Sequence, residues 1–143
     1  MALTPQMSVG VYHGQAFVGM LADNSPPKVI SCMLGGAVVP GDSLEFAVST
    51  KKWYKFKTGP DAAKAQADAV FFYRDTHAPG GEPIGSCVSG LISGRVWIPA
   101  LAGVVGSPHP DFPTSSVIRE LGTDAISGAA IALVEINLPN AAT

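Results

Sequence analysis

The chain has 143 residues, of which 47% are apolar and only 14% charged, and its formal net charge is −2. That length suits one domain burying roughly 70% of its unfolded surface, and the apolar fraction excludes a disordered chain. Charge falls well below the roughly 25% usual in soluble domains and is not basic, which excludes a binder that relies on a broad positive field and leaves part of the surface expected to meet protein.

Sixteen Gly and twelve Pro are spread along the chain. That much punctuation forbids long helices and fits an all-β sandwich or barrel. Residues 1–6 lack a basic stretch and no uninterrupted apolar run follows, so no signal peptide is expected. Strands are predicted at 8–12, 16–21, 28–34, 43–49, 53–57, 69–73, 84–89, 94–98 and 129–137, within a single domain spanning 1–143. His13-Gly14-Gln15 would link the first two as a short hairpin loop.

One short helix is predicted over 61–67. Asp61 precedes strong helix formers there, and Thr58-Gly59-Pro60 supplies a proline entry. Segment 99–116 holds Pro99, Pro108, Pro110 and Pro113 with Gly103 and Gly106, and shows no alternation. It is expected to be an extended loop, either plain surface or ordered by a partner. Leu101, Val104, Val105 and Phe112 are the candidate contacts on it, because they would otherwise face solvent. In the last strand Ala132, Val134, Ile136 and Leu138 alternate with Ala129, Ile131 and Leu133, and the second face turns polar at Glu135 and Asn137. Such a strand is expected at the centre of a sheet. The longest apolar stretches, 98–106 and 128–134, are far shorter than the roughly 18 residues of a spanning helix. No membrane segment is expected.

Chemistry-bearing residues are few. Cys32 and Cys87 are each expected as a buried free thiol, with a Cys32–Cys87 bridge as the alternative. Gly41-Asp42-Ser43-Leu44 spells the signature of the GDSL esterases, with Ser43 as the nucleophile. No Asp here stands three residues ahead of a His, however, and Pro40-Gly41-Asp42 is also a plain turn. His13, His77 and His109 lie far apart and only Asp75 is near His77, so neither a metal nor a cofactor is expected. Lys51, Lys52, Lys55 and Lys57 alternate with Trp53, Tyr54 and Phe56. Base stacking is one reading of that pattern. An edge strand, or a basic surface for an acidic protein partner, is preferred, with Lys51, Lys52 and Lys55 as the candidate electrostatic contacts and no nucleic acid expected.

The order of these features resembles a known group. Val38-Val39-Pro40-Gly41-Asp42-Ser43-Leu44-Glu45 is followed by Asp68-Ala69-Val70-Phe71-Phe72-Tyr73 and by Glu82-Pro83-Ile84-Gly85-Ser86-Cys87-Val88. Ile126-Ser127-Gly128-Ala129-Ala130 then leads into the strand ending Glu135-Ile136-Asn137-Leu138. The chain thereby resembles the head decoration, or capsid cement, proteins of tailed bacteriophages, over about residues 38–138. The Pro-rich segment 99–116 departs from the pattern. The resemblance implies a jelly-roll-like sandwich or barrel, in a non-enzymatic virion protein on the capsid exterior, made in the host cytoplasm. Its partner would be the major capsid protein, and it would self-associate there as a dimer or trimer. Three alternatives are another virion β-domain from tail, fibre or head completion, a small hydrolase using Ser43, and a carbohydrate binder stacking sugars on Trp53, Tyr54 and Trp97.

Overall fold

The computed structural model describes residues 16–22, 26–61, 64–72 and 85–141. Alternating β-branched and aromatic residues there form seven strands: β1 (Lys28–Met33), β2 (Ser43–Ala47), β3 (Lys52–Lys55), β4 (Ala69–Phe71), β5 (Cys87–Pro99), β6 (Ser116–Thr123) and β7 (Ala130–Asn137). They make one antiparallel sheet in the order β3-β2-β4-β5-β7-β6, with β1 also paired to β5. The predicted strand at 8–12 lies outside the described residues, as do His13, Asp75 and His77.

β5 organises the fold. Leu91 pairs with Val29 of β1 and with Val70 of β4, so β5 has a neighbour on each side in its first half. In the second half Val96 pairs with Val134 of β7 and bridges Leu21. The predicted break between 84–89 and 94–98 is therefore absent, and one strand of 13 residues runs through it. Full pairing overrides the glycines. Gly90 is required because a Cβ there would lie 2.7 Å from Cys32 Sγ, and Gly94 bends the strand at φ +139°.

The sheet also curls back on itself. Beyond β1, Leu34 forms a parallel bridge with Trp53, and the Gly35 N–H donates to the Trp53 carbonyl at 2.8 Å. This joins the far end of the strand order to β1. The main core fills the enclosed face with Leu34, Leu44, Trp53, Phe71, Leu91, Ile98, Phe112 and Ile118, among others. A smaller cluster of Trp97, Ile131 and Leu133 on the opposite face is covered by Ala16, Val18, Met20 and Ala22. β7 thus faces apolar residues on both sides early and on one side later, as its alternation predicts. Each such side chain contributes about 1.5–3 kcal/mol relative to exposure.

Further expectations are corrected: no strand forms over 16–21, where Leu21 makes only an isolated bridge to Val96. The helix predicted over 61–67 does not form: Asp61 and residues 64–67 are non-helical, and the described chain contains no helix. Tertiary bonds use the groups a helix needs, since Ala67 N–H donates to the Asp111 carbonyl and Asp68 N–H to the Leu44 carbonyl. Asp61 accepts from the Ser49 hydroxyl rather than capping a helix. A helix this short has no margin over its nucleation cost. The loop expected over 99–116 is shorter by one residue at each end, since Pro99 closes β5 and Ser116 opens β6. Among the described residues no helix is long and apolar enough to cross a membrane.

The cysteines divide. Cys32 is buried, and burial, its largest cause, pushes its thiol up to about 12. Cys87 is exposed, contrary to expectation. Cys32 pairs with Val88 and Cys87 with Met33, so the two side chains leave the sheet on opposite faces. Both thiols are free.

Candidate functional site

The loop after β5 is built from named hydrogen bonds. Pro99 closes the strand, and the Ala100 N–H donates to the Ala130 carbonyl. A tight turn follows, in which the Gly103 N–H reaches the Ala100 carbonyl at 3.1 Å while Leu101 holds a left-handed φ of 52°. Gly103 is sterically required, since a Cβ would sit 2.2 Å from Ile118 Cδ1. Gly106 and Ser107 then run beside β6, exchanging bonds with Ile118.

His109 and Phe112 fasten the base of this loop. The His109 ring is buried, with Nε2 2.7 Å from the Pro99 carbonyl and Nδ1 accepting the Asp111 N–H at 3.1 Å. That pair of contacts places the ring proton on Nε2. Ser116 Oγ accepts the His109 N–H and donates to the Phe112 carbonyl. Phe112 is fully buried in the main core, so it is not available as a contact residue. The expectation placed it outside because the prolines around it hide any periodicity. Leu101 is 61% exposed, and Val104 and Val105 are each 57% exposed.

Across from the loop lies the turn Pro40-Gly41-Asp42 and the start of β2. The Ser43 hydroxyl donates to Asp111 Oδ2 at 2.8 Å, tying β2 to the loop. Asp42 accepts the Val39 N–H at 2.9 Å and lies 4.0 Å from Lys55 Nζ. Burial pushes the Asp42 carboxyl up, against the pull of the Val39 N–H and Lys55.

The third wall is the exit from β3. Glu45 is buried on β2, and its carboxylate accepts the Lys57 N–H at 2.8 Å and the Gly59 N–H at 3.1 Å. This clamp holds Lys57 at a left-handed φ of 72°. The Lys57 ammonium lies 5.4 Å from the centre of the Phe56 ring, a cation–π contact that orients it.

These three walls enclose a cleft of about 260 Å³, lined by Lys55, Phe56 and Lys57 from the β3 side, by Gly41, Asp42 and Ser43, and by Pro99, Leu101 and Asp111 from the loop. Two sequence candidates, Lys55 and Leu101, meet there with Ser43. Lys51 and Lys52 are exposed further along the same hairpin. Lys57 belonged to the lysine run but lacked a signal separating it from its neighbours. Glu45 and Asp111 left no periodic or spacing cue, because their roles come from long-range contacts, whereas Asp42 was legible as part of the Pro40-Gly41-Asp42 turn.

The chemistry available is limited. Ser43 points its hydroxyl at a carboxylate, and His109, the one histidine among the described residues, has both nitrogens engaged elsewhere. Among the described residues no cluster of three or more His, Cys, Asp or Glu side chains converges in a metal-binding arrangement. Trp53 and Trp97 are buried, and Tyr54 lies so close over Gly35 that a Cβ there would be 2.4 Å from its ring. The two tryptophans therefore present no open platform for a sugar or a base, and Tyr54 is half-buried. Comparison of the chain with protein-family models, with curated proteins and with solved structures finds no match.

Proposed function

We propose that this chain is a structural protein of a tailed-bacteriophage virion: a capsid decoration or cement protein that binds the outside of the head between major capsid protein subunits and stabilises the mature shell. Leu101, Val104 and Val105 carry this assignment, because they stand more than half exposed on a loop whose base is locked by buried His109 and Phe112. Apolar side chains fixed in advance lose little further entropy when a partner covers them. Within the described residues, the four stretches that resemble the decoration proteins reach β2, β4, the first residues of β5, and β7, which are consecutive neighbours in the sheet. An antiparallel all-β domain is compatible with the jelly-roll-like architecture that the resemblance implies.

A protein that binds only the expanded shell stabilises that state by mass action, and many modest contacts repeated over the surface add up. Co-sedimentation with expanded and unexpanded shells of the accompanying major capsid protein tests this. Pelleting with expanded shells alone supports it, and failure to pellet with either refutes it. The placing of Ser43 beside Asp111 in a cleft favours the second reading, a small hydrolase. Labelling of Ser43 by a fluorophosphonate probe would establish that one instead.

A further inference from the structure

We infer that the cleft between Lys55 and Lys57 on one side and Leu101 on the other is a recognition groove for an extended protein segment that places a carboxylate beside an apolar side chain. The identification of the shell as the source of that segment rests on the capsid assignment, whereas the groove's chemistry does not.

Three observations converge on it. Lys55 is 58% exposed at its side chain, and its nearest carboxylate, Asp42, is 4.0 Å away and turned inward onto the Val39 N–H. Asp111 likewise has one oxygen engaged by Ser43. The charge offered outward is therefore positive, while the opposing wall of Pro99 and Leu101 is apolar. Secondly, non-glycine residues in the left-handed region number three among the described residues, and two of them, Lys57 and Leu101, line this one cleft. Strain of that kind collects where side chains are clamped for a ligand. Each is held by a specific device: the Glu45 carboxylate for Lys57, and the Ala100–Gly103 turn for Leu101. Thirdly, the cleft is poorly suited to nucleic acid. Phe56 is the one aromatic residue lining it, and its ring is buried, so no open face is offered for a base to stack on.

The left-handed positions provide clean variants. Leu101→Gly and Lys57→Gly both remove the side chain at a φ that glycine adopts without cost, so folding is retained or improved. Amide chemical shifts would be followed while the full chain is titrated with a peptide of alternating Asp and Leu, a matched Lys and Leu peptide, and oligothymidylate. The expected result is salt-sensitive binding of the acidic peptide alone, with shifts at Lys55, Lys57 and Leu101, weakened about tenfold by either glycine variant. Preference for the basic peptide, equal binding of oligothymidylate, absence of binding to any probe, or unchanged affinity in both variants would overturn it. Co-sedimentation with expanded shells separates the two levels. If wild type and Leu101→Gly pellet equally, the shell does not supply the segment that the groove takes, while the capsid assignment stands. If wild type never pellets but binds the acidic peptide, the groove stands and the capsid assignment fails.

Discussion

Glu45→Gln isolates the clamp that shapes one wall of the cleft. The substitution keeps volume and shape, but its amide carries one acceptor where the carboxylate has two. One of the two N–H groups now held, Lys57 at 2.8 Å or Gly59 at 3.1 Å, must then face an amide NH₂. Hydrogen bonds to a charged acceptor contribute about 1.5–3 kcal/mol each, and a buried unpaired donor costs about 1–3 kcal/mol. Removing the buried charge recovers part of its desolvation. The net loss should be about 2 kcal/mol, which for a domain of this size lowers the urea midpoint by about 1 M at unchanged slope. Hydrogen exchange should quicken at the Lys57 and Gly59 amides before it does in β5. Gly59→Ala attacks the same clamp from the other side, because its methyl would lie 2.2 Å from Glu45 Oε2. A midpoint unchanged by Glu45→Gln, or continued protection of both amides, would refute the account of why Lys57 is held in a left-handed conformation.

Three further outcomes are expected. Phe112→Ala empties a fully buried ring site and should cost about 3–5 kcal/mol, with lower Tm and faster amide exchange through residues 100–115. Ellman's reagent should titrate Cys87 in the native protein and reach Cys32 only after denaturation, because the Cys32 thiol is buried and pushed up to about 12. Acid should weaken the fold through Glu135 and Asp124. The Arg119 guanidinium holds Glu135 below its ordinary 4.5, and at Asp124 burial is outweighed by bonds from Ser127 and Ile126, which hold it below 3.8. Stability from a depressed carboxylate is complete above its unfolded pKa and is lost as pH falls through the folded one. Urea midpoints should therefore drop below about pH 4.5, less steeply in Asp124→Asn, while Asp42→Asn removes a dependence of opposite sign.

Strands with regular alternation and buried faces were legible in the sequence, and β7 is the clearest because both of its faces carry apolar residues. β6 was not. Ile118 is its one fully buried residue, and the register shift between Ile118 and Glu120 breaks the period of two where it would have shown. The helix over 61–67 is a reasonable expectation from local propensity that long-range hydrogen bonds to the Asp111 and Leu44 carbonyls override. At the cleft, exposed Leu101 and Lys55 could be picked out as residues out of place in solvent. Phe112 met the same criterion and belongs to the core. Glu45 and Asp111 could not be found at all, since each acts on groups distant in sequence.

β5 leads directly into the exposed loop, so a pull on Leu101 from a bound partner is applied at the end of that strand and along its length. Its flanking ladders, β1 and β4 in the first half and β7 in the second, would be loaded in shear rather than peeled open one bond at a time. Bonds loaded together must yield together. The connection between the loop and the core is thereby mechanically stiff along the strand axis, and tension that reaches the domain through Leu101 is divided over three neighbouring strands.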